Sequence, residues 1–378
     1  MAKPAVTVLI DTYNHERFIE EAIVSVLEQD FPRSEAEVIV VDDGSTDRTS
    51  DIVRKFEPRL RLIRKPNGGQ ASAFNAGIPE AQGEIVAFLD GDDWWARNKL
   101  TRVAEAMAAD PFVGIVGHGI IMVQRDGKRR SETLREGFCF QANTAEGARL
   151  FRLRRSFLGT SRMTIRAGLL WRIGTVPEAL TVQADEYLFT LASALGGARI
   201  LPEALTYYRL HDANAYQAEV RDPVKMRGKQ SALAALAQSL HEQLERHGIP
   251  PEAHQCITEI VQAETAQSRL ALDGGKPLET LRTEWKIYDV HSPQASFLHR
   301  MLKFLRLLPA LFLPPQTYYR WRSRFAEGRK YKEVRDRLLP DPSRQHVCNE
   351  WRSESQISHP ISADEPRSEE RGLPQCKS

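Results

Sequence analysis

The chain has 378 residues, enough for one large domain or two modest ones, and 42% of them are hydrophobic, which supports a sizeable core. A net charge of +2 excludes recruitment of nucleic acid by bulk charge, and no apolar run reaches the roughly 18–20 residues that span a bilayer. The four cysteines, Cys139, Cys256, Cys348 and Cys376, lack metal-ligand spacing; the expectation is of no signal peptide and of reduced thiols in a cytoplasmic setting.

Residues 6–10 read as a strand, and residues 18–29 carry apolar side chains at the helical period (Phe18, Ile19, Ala22, Ile23, Val26, Leu27). Residues 38–41 form an unbroken apolar run, as in a strand buried on both faces. Residues 42–47 predict a turn that caps the next helix through Ser45 or Thr46. A third strand is expected at 60–63, a loop at 67–69, a helix at 71–81 and a fourth strand at 85–89. This rhythm predicts an α/β fold: a doubly wound, mostly parallel sheet with right-handed crossovers and ligands at the carboxyl ends of its strands. Three polar loops fall there: Asp11-Thr12-Tyr13-Asn14, Asp42-Asp43-Gly44-Ser45 and Asp90-Gly91-Asp92-Asp93.

From Val113 the pattern changes to shorter strands, closed by residues 207–211, and after Ala213 it becomes helical. Leu233, Leu236, Leu240 and Leu244 share one helical face, and a second helix is expected at 256–272; both read as core packing. In residues 297–325, Phe297, Leu298, Met301, Leu302, Phe304 and Leu305 interleave with Arg300, Lys303 and Arg306, and Tyr318, Tyr319 and Trp321 with Arg320, Arg322 and Arg324. Pro314-Pro315 breaks any single long helix. The segment is expected to lie on an anionic membrane surface, the alternative being a helix packed on its own domain with snorkelling cations. Boundaries are therefore expected at 1–212, 213–296, 297–338 and 339–378, the last a disordered tail.

Three carboxylates within four positions, Asp90, Asp92 and Asp93, follow the fourth strand. Like charges at the end of a buried strand are costly unless a positive partner is present, and a divalent cation, Mg2+ or Mn2+, is the simplest one. This suggests a metal-bridged phosphate site. Asp43 can accept from an N–H on a pyrimidine edge or act as an ordinary turn residue, and Thr12 and Tyr13 could flank a base. Residues 67–77 form a glycine-bearing loop into a helix without dinucleotide-fingerprint spacing, able to place backbone N–H groups near a phosphate or ribose.

Residues 8–14, 40–47 and 89–93, in that order, resemble the family 2 glycosyltransferases of GT-A fold, over residues 4–212. The resemblance implies an inverting, metal-dependent transfer of sugar from a nucleotide donor (UDP-, GDP- or dTDP-linked) to a hydroxyl of a glycan or lipid-linked acceptor, in cell-surface polysaccharide synthesis at the cytoplasmic face of the inner membrane. It implies donor contacts from Thr12, Tyr13, Asn14, Asp43, Gly69, Asn75 and Asp92, and cation ligands from Asp92, Asp93 and His211, with Asp90 in support and Arg209 on phosphate or at the surface. Alignment on Leu188 makes Asp185 the catalytic base, with Glu186 as substitute and a helix-capping pair as the bland alternative. A sugar-phosphate nucleotidyltransferase would carry a Gly-rich, Lys/Arg-containing loop where Asp11-Thr12-Tyr13-Asn14 stands. A non-catalytic glycan-binding scaffold would not need both Asp92 and Asp93.

Overall fold

The computed structural model describes residues 4–211, 223–292 and 295–326. The chain begins by alternating strand and helix: β1 (Val6–Thr12), α1 (Ile19–Leu27), β2 (Ala36–Asp42), α2 (Thr49–Arg54), β3 (Arg61–Arg64), α3 (Gln70–Gly77) and β4 (Ile85–Asp90). β1, β2 and β4 are largely apolar because both their faces are covered, whereas β3, at the sheet edge, is flanked by the exposed Arg61 and Arg64. Leu9, Val41, Val86 and Phe88 pack with Phe74 of α3 on one side. Val8, Ile10, Val40, Ala87 and Leu89 pack with Ile19, Ile23 and Val26 of α1 on the other.

The strand order is β3-β2-β1-β4, all parallel. The chain winds away from β1 in one direction and then crosses over for β4, so the topological switch, and the crevice it opens, lies between β1 and β4. The register there sets Asp11 beside Asp90.

Two local expectations are corrected. Ser45 and Thr46 do not cap α2: Ser45 Oγ accepts the Asn14 N–H (2.9 Å), and Asp47 Oδ1 takes the Thr49 N–H (2.9 Å), so the helix starts later. The expected helix at 71–81 ends at Gly77 and passes into a 3-10 turn over residues 78–80, because Pro79 has no N–H to continue it.

Next come β5 (Trp94–Trp95), α4 (Lys99–Ala108), β6 (Ile115–Val123), β7 (Arg129–Glu132), β8 (Phe138–Phe140), α5 (Ala145–Arg154), β9 (Thr164–Arg166), α6 (Ala167–Ile173), α7 (Ala184–Gly196) and β10 (Ala198–Arg209). β9 is antiparallel to both β4 and β6, and β10 is parallel to β6 but antiparallel to β5 and β8. The sheet is therefore mixed, parallel over β3-β2-β1-β4 and largely antiparallel beyond.

The helical region comprises α8 (Pro223–Arg246), α9 (Pro251–Asp273), α10 (Pro277–His291), α11 (Phe297–Leu307), α12 (Pro309–Phe312) and α13 (Pro315–Ala326). Leu233, Leu236, Leu240 and Leu244 are all buried, and α8 packs on α7 and α9. Ion pairs tie α9 to α5: Arg152 with Glu259 at 2.8 Å and, just past the helix end, Arg155 with Glu264 at 2.6 Å. Among the described residues no helix is long and apolar enough to cross a membrane. The tail expected at 339–378 lies outside the described residues, as do residues 212–222 and 327–338.

Candidate active site

The carboxyl ends of β1, β2 and β4 open into a cavity of 620 Å³ lined by six aspartates: Asp11, Asp43, Asp90, Asp92, Asp93 and Asp185. The turn after β4 can lie on β1 only because position 91 is glycine: a Cβ there would fall 2.6 Å from Thr12 Oγ1. Ser161 anchors this turn from below. Its Oγ accepts the Asp90 N–H (3.1 Å) and donates to Asp90 Oδ2 (3.2 Å). Its carbonyl accepts from Trp95 Nε1 (3.1 Å), Lys99 Nζ (2.8 Å) and Thr206 Oγ1 (2.6 Å). Lys99 is fully buried, with Nζ 3.6 Å from the centre of the Trp95 ring.

Arg209 holds Asp92 and Asp93 from above. Its backbone N–H donates to Asp93 Oδ1 (3.0 Å), its Nε donates to the Asp92 carbonyl (3.0 Å), and its guanidinium lies 4.4 Å from the centre of the Trp94 ring and 4.8 Å from that of Phe18. Arg209 is thus committed to the turn. His211 Nε2 is hydrogen-bonded to Asp92 Oδ2 at 2.8 Å, and His15 Nε2 lies 4.0 Å from the same oxygen.

These surroundings divide the carboxylates. Burial, reinforced by the charge of Asp92, raises Asp11 from its ordinary value to about 8. Burial and the neighbouring carboxylates push Asp90 and Asp93 well up. Burial would also raise Asp92, but the hydrogen bond from His211 and the charges of His15 and His211 outweigh it, and Asp92 moves down.

Asp93 Oδ2 and Asp11 Oδ1 are buried without a hydrogen-bond partner. Oxygen donors with unused lone pairs, in a cluster of mutually repelling carboxylates, fit a divalent cation. Among the described residues no three His, Cys, Asp or Glu side chains converge as a metal-binding set. Mg2+ needs only one or two carboxylates when phosphate oxygens and water complete its shell.

Thr12, Tyr13, Asp43 and Gly69 line the same cavity, whereas Asn14, Asn75, Glu186 and His211 do not. The Asp43 carboxylate is engaged by Lys65 Nζ (2.6 Å) and by the N–H groups of Gly68 (3.0 Å) and Gly69 (2.7 Å), so it pins the 65–69 loop to the cavity wall. Gly69 has φ +83° and would collide with Thr181 if it bore a Cβ. Asn14, at φ 56°, uses its Oδ1 to accept the Thr46 N–H (2.8 Å), and Asn75 bridges the N–H and C=O of Val176. Both side chains tie loops together rather than face the cavity.

Asp185 stands in the first turn of α7, with Oδ2 accepting the Thr160 N–H (3.2 Å), and burial raises its proton affinity. Glu186 turns away to an ion pair with Arg155. Two positions not expected from sequence hold Asp185 in place. Gln183 precedes α7 in a left-handed conformation (φ 63°), rare for a side chain of this kind. Gln70 accepts the Ala184 N–H (3.0 Å) and donates to Thr160 Oγ1 (3.1 Å), linking α3 to both sides of Asp185.

The sequence profile of Glycosyl transferase family 2 matches residues 7–171. An uncharacterized glycosyltransferase of Nostoc, alr2836, is 31% identical over 232 residues, which are 60% of this chain and 71% of that one. The poly(ribitol-phosphate) beta-N-acetylglucosaminyltransferase TarS of Staphylococcus aureus is 40% identical over 102 residues, 26% of this chain but only 18% of TarS. In fold, the crystal structure of S. aureus TarS 1-349 in complex with UDP-GlcNAc superposes with a TM-score of 0.55 at 20% identity, over 86% of this chain and 93% of that one. A shared sequence core and a GT-A sheet with carboxylates at its switch point lead to one assignment: the chain belongs to the family 2 glycosyltransferases.

Proposed function

We propose that the chain moves a sugar, with inversion, from a nucleoside-diphosphate donor to a hydroxyl of a glycan or lipid-linked acceptor, in cell-surface polysaccharide synthesis at the cytoplasmic face of the inner membrane. The observation that carries this reading is the gathering of Asp43, Asp92, Asp93 and Asp185 around one cavity. The TarS fragment of similar fold binds UDP and UDP-GlcNAc, so a UDP-sugar is the first donor to test.

In this reading the loop pinned by Asp43 forms the base pocket with Thr12 and Tyr13. Asp92 and Asp93 are the residues that would hold a Mg2+ or Mn2+ ion, and such an ion would supply Lewis-acid neutralisation of the leaving diphosphate. Arg209 and His211 keep those two carboxylates oriented through the bonds described above. Asp185 takes the proton of the acceptor hydroxyl. The acceptor oxygen then bonds to the anomeric carbon as the bond from that carbon to the diphosphate oxygen breaks, in one displacement.

The test pairs Asp185→Asn with Asp93→Ala. Asp185→Asn should lower transfer by roughly 10²–10⁴-fold, the range for a general base, and still be stabilised against heat by UDP with Mn2+. Asp93→Ala should lose both turnover and the Mn2+-dependent part of that stabilisation. Full transfer by either variant contradicts the assignment.

A further inference from the structure

Helix α11 is packed inside out. Phe297 is 82% exposed, Leu298 57%, Leu302 45% and Leu305 51%, and only Leu307 of this helix is buried. Two of its cations turn inward onto α10 instead. Arg300 pairs with Asp289 at 2.6 Å and lies over the Trp285 ring, and Lys303 Nζ lies 5.4 Å from the centre of the Tyr288 ring. A surface helix ordinarily does the reverse, burying its apolar stripe. The exposure continues at Phe312 (80%) and Trp321 (41%), and eight of the thirteen exposed large hydrophobics among the described residues fall between 297 and 321. Such a concentration marks a surface that something covers.

Charge decides what covers it. Of the five Arg or Lys between residues 290 and 322, Arg300 and Arg322 are paired with Asp289 and Glu284 of α10, Lys303 lies over Tyr288, and Arg306 and Arg320 are exposed beside the apolar side chains, with no Asp or Glu in the same stretch. Two copies meeting through this face would bring like charges together. An acidic peptide would answer the cations but leave Phe297, Leu298, Leu302, Leu305 and Phe312 largely uncovered. An anionic bilayer offers hydrocarbon for the apolar side chains and phosphate for the cations in one surface. Breaks at Pro309 and at Pro314-Pro315 leave three short helices that can lie along an interface.

We propose that α11, α12 and α13 seat the protein on an anionic membrane surface. This deepens the lipid-linked reading of the acceptor, but it is read without donor or acceptor, so it can fail while the transferase reading stands. The experiment is co-sedimentation of the full chain with vesicles of equal parts phosphatidylglycerol and phosphatidylcholine, and with phosphatidylcholine alone. The chain should partition to the anionic vesicles, roughly ten-fold less to the neutral ones, and less as salt rises. The triple variant Leu298→Gln, Leu302→Gln, Leu305→Gln alters only exposed side chains. It should lose roughly ten-fold or more of the anionic-vesicle partition with an unchanged melting temperature. Arg306→Glu with Arg320→Glu should abolish the preference for anionic over neutral vesicles. Equal partition of parent and triple variant overturns the proposal. So does a concentration-dependent dimer that the triple variant dissolves while neither chain binds vesicles.

Discussion

Asp92 and Asp93 are neighbours in sequence with opposite proton affinities, because His211 and His15 face the first while burial isolates the second. Asp185 resembles Asp93 in being raised by burial, and the base role proposed for it requires the deprotonated form. Transfer should therefore rise with pH through a value above the ordinary carboxylate range, and a pH profile of kcat checks this. The same shift has a stability consequence. A carboxylate whose folded-state pKa is raised stabilises the fold below its unfolded pKa and loses that contribution as pH rises through the folded value. Asp185→Asn, which cannot ionise, should equal the parent in melting temperature at low pH and exceed it increasingly at high pH. Glu186→Gln should act differently. It leaves Arg155 with Glu264 as remaining partner, costs roughly 1–3 kcal/mol of stability, and leaves the pH profile in place; loss of the ascending acid-side limb in Glu186→Gln would transfer the base role to Glu186. Asp90, Asp92 and Asp93 stood out in the sequence because three carboxylates within four positions follow one strand, whereas Asp43 also read as a turn residue and Asp185 as part of a helix cap. Ser161, Gln70 and the turn-holding duty of Arg209 were not legible, since each acts across 71 to 117 residues of chain and has no local pattern.

The start of α7 shows how one element places a catalytic candidate. Its first residues follow a left-handed Gln183, and Gln70 of α3 satisfies the Ala184 N–H, which no residue within the helix can reach. Gln70 also holds Thr160, whose own N–H meets Asp185. Gln70→Ala should free both sides of Asp185 at once. Steady-state kinetics should show kcat lowered by about ten-fold with KM for the donor little changed; a change confined to melting temperature would reduce Gln70 to a structural brace. At this scale the first four strands and α1 were readable because long apolar runs and the 3.6-residue period leave few alternatives. The strands from β5 onward are mostly two to four residues long, too short for alternation to show. Their antiparallel pairing depends on where β9 inserts between β4 and β6. The inverted packing of α11 was hidden for another reason: periodicity reports that a helix is amphipathic, not which side its neighbours take.

The aspartates around the cavity repel one another, a cost that a bound cation would relieve. Asp11 titrates near 8, and Asp90, Asp93 and Asp185 are all held above the ordinary carboxylate value, chiefly by burial. Near neutral pH part of this cluster retains protons that the unfolded chain has already released. The native state then binds more protons than the unfolded one, and stability falls as pH rises. This decline should run from about the ordinary carboxylate range up to about 8, where Asp11 gives up its proton. A cation with a nucleoside diphosphate needs the ionised form, so binding should expel protons and stabilise more strongly at high pH. Two measurements on the full chain check this. Melting temperature with and without Mn2+ and UDP should diverge increasingly from pH 6 to pH 9, the stabilisation reaching about 2.7 kcal/mol where the ligand stands at a hundred times its Kd. Titration calorimetry in two buffers of different ionisation enthalpy should report net proton release. A gain in melting temperature that is flat with pH, together with no proton release, would mean that the ligand binds away from the aspartate cluster.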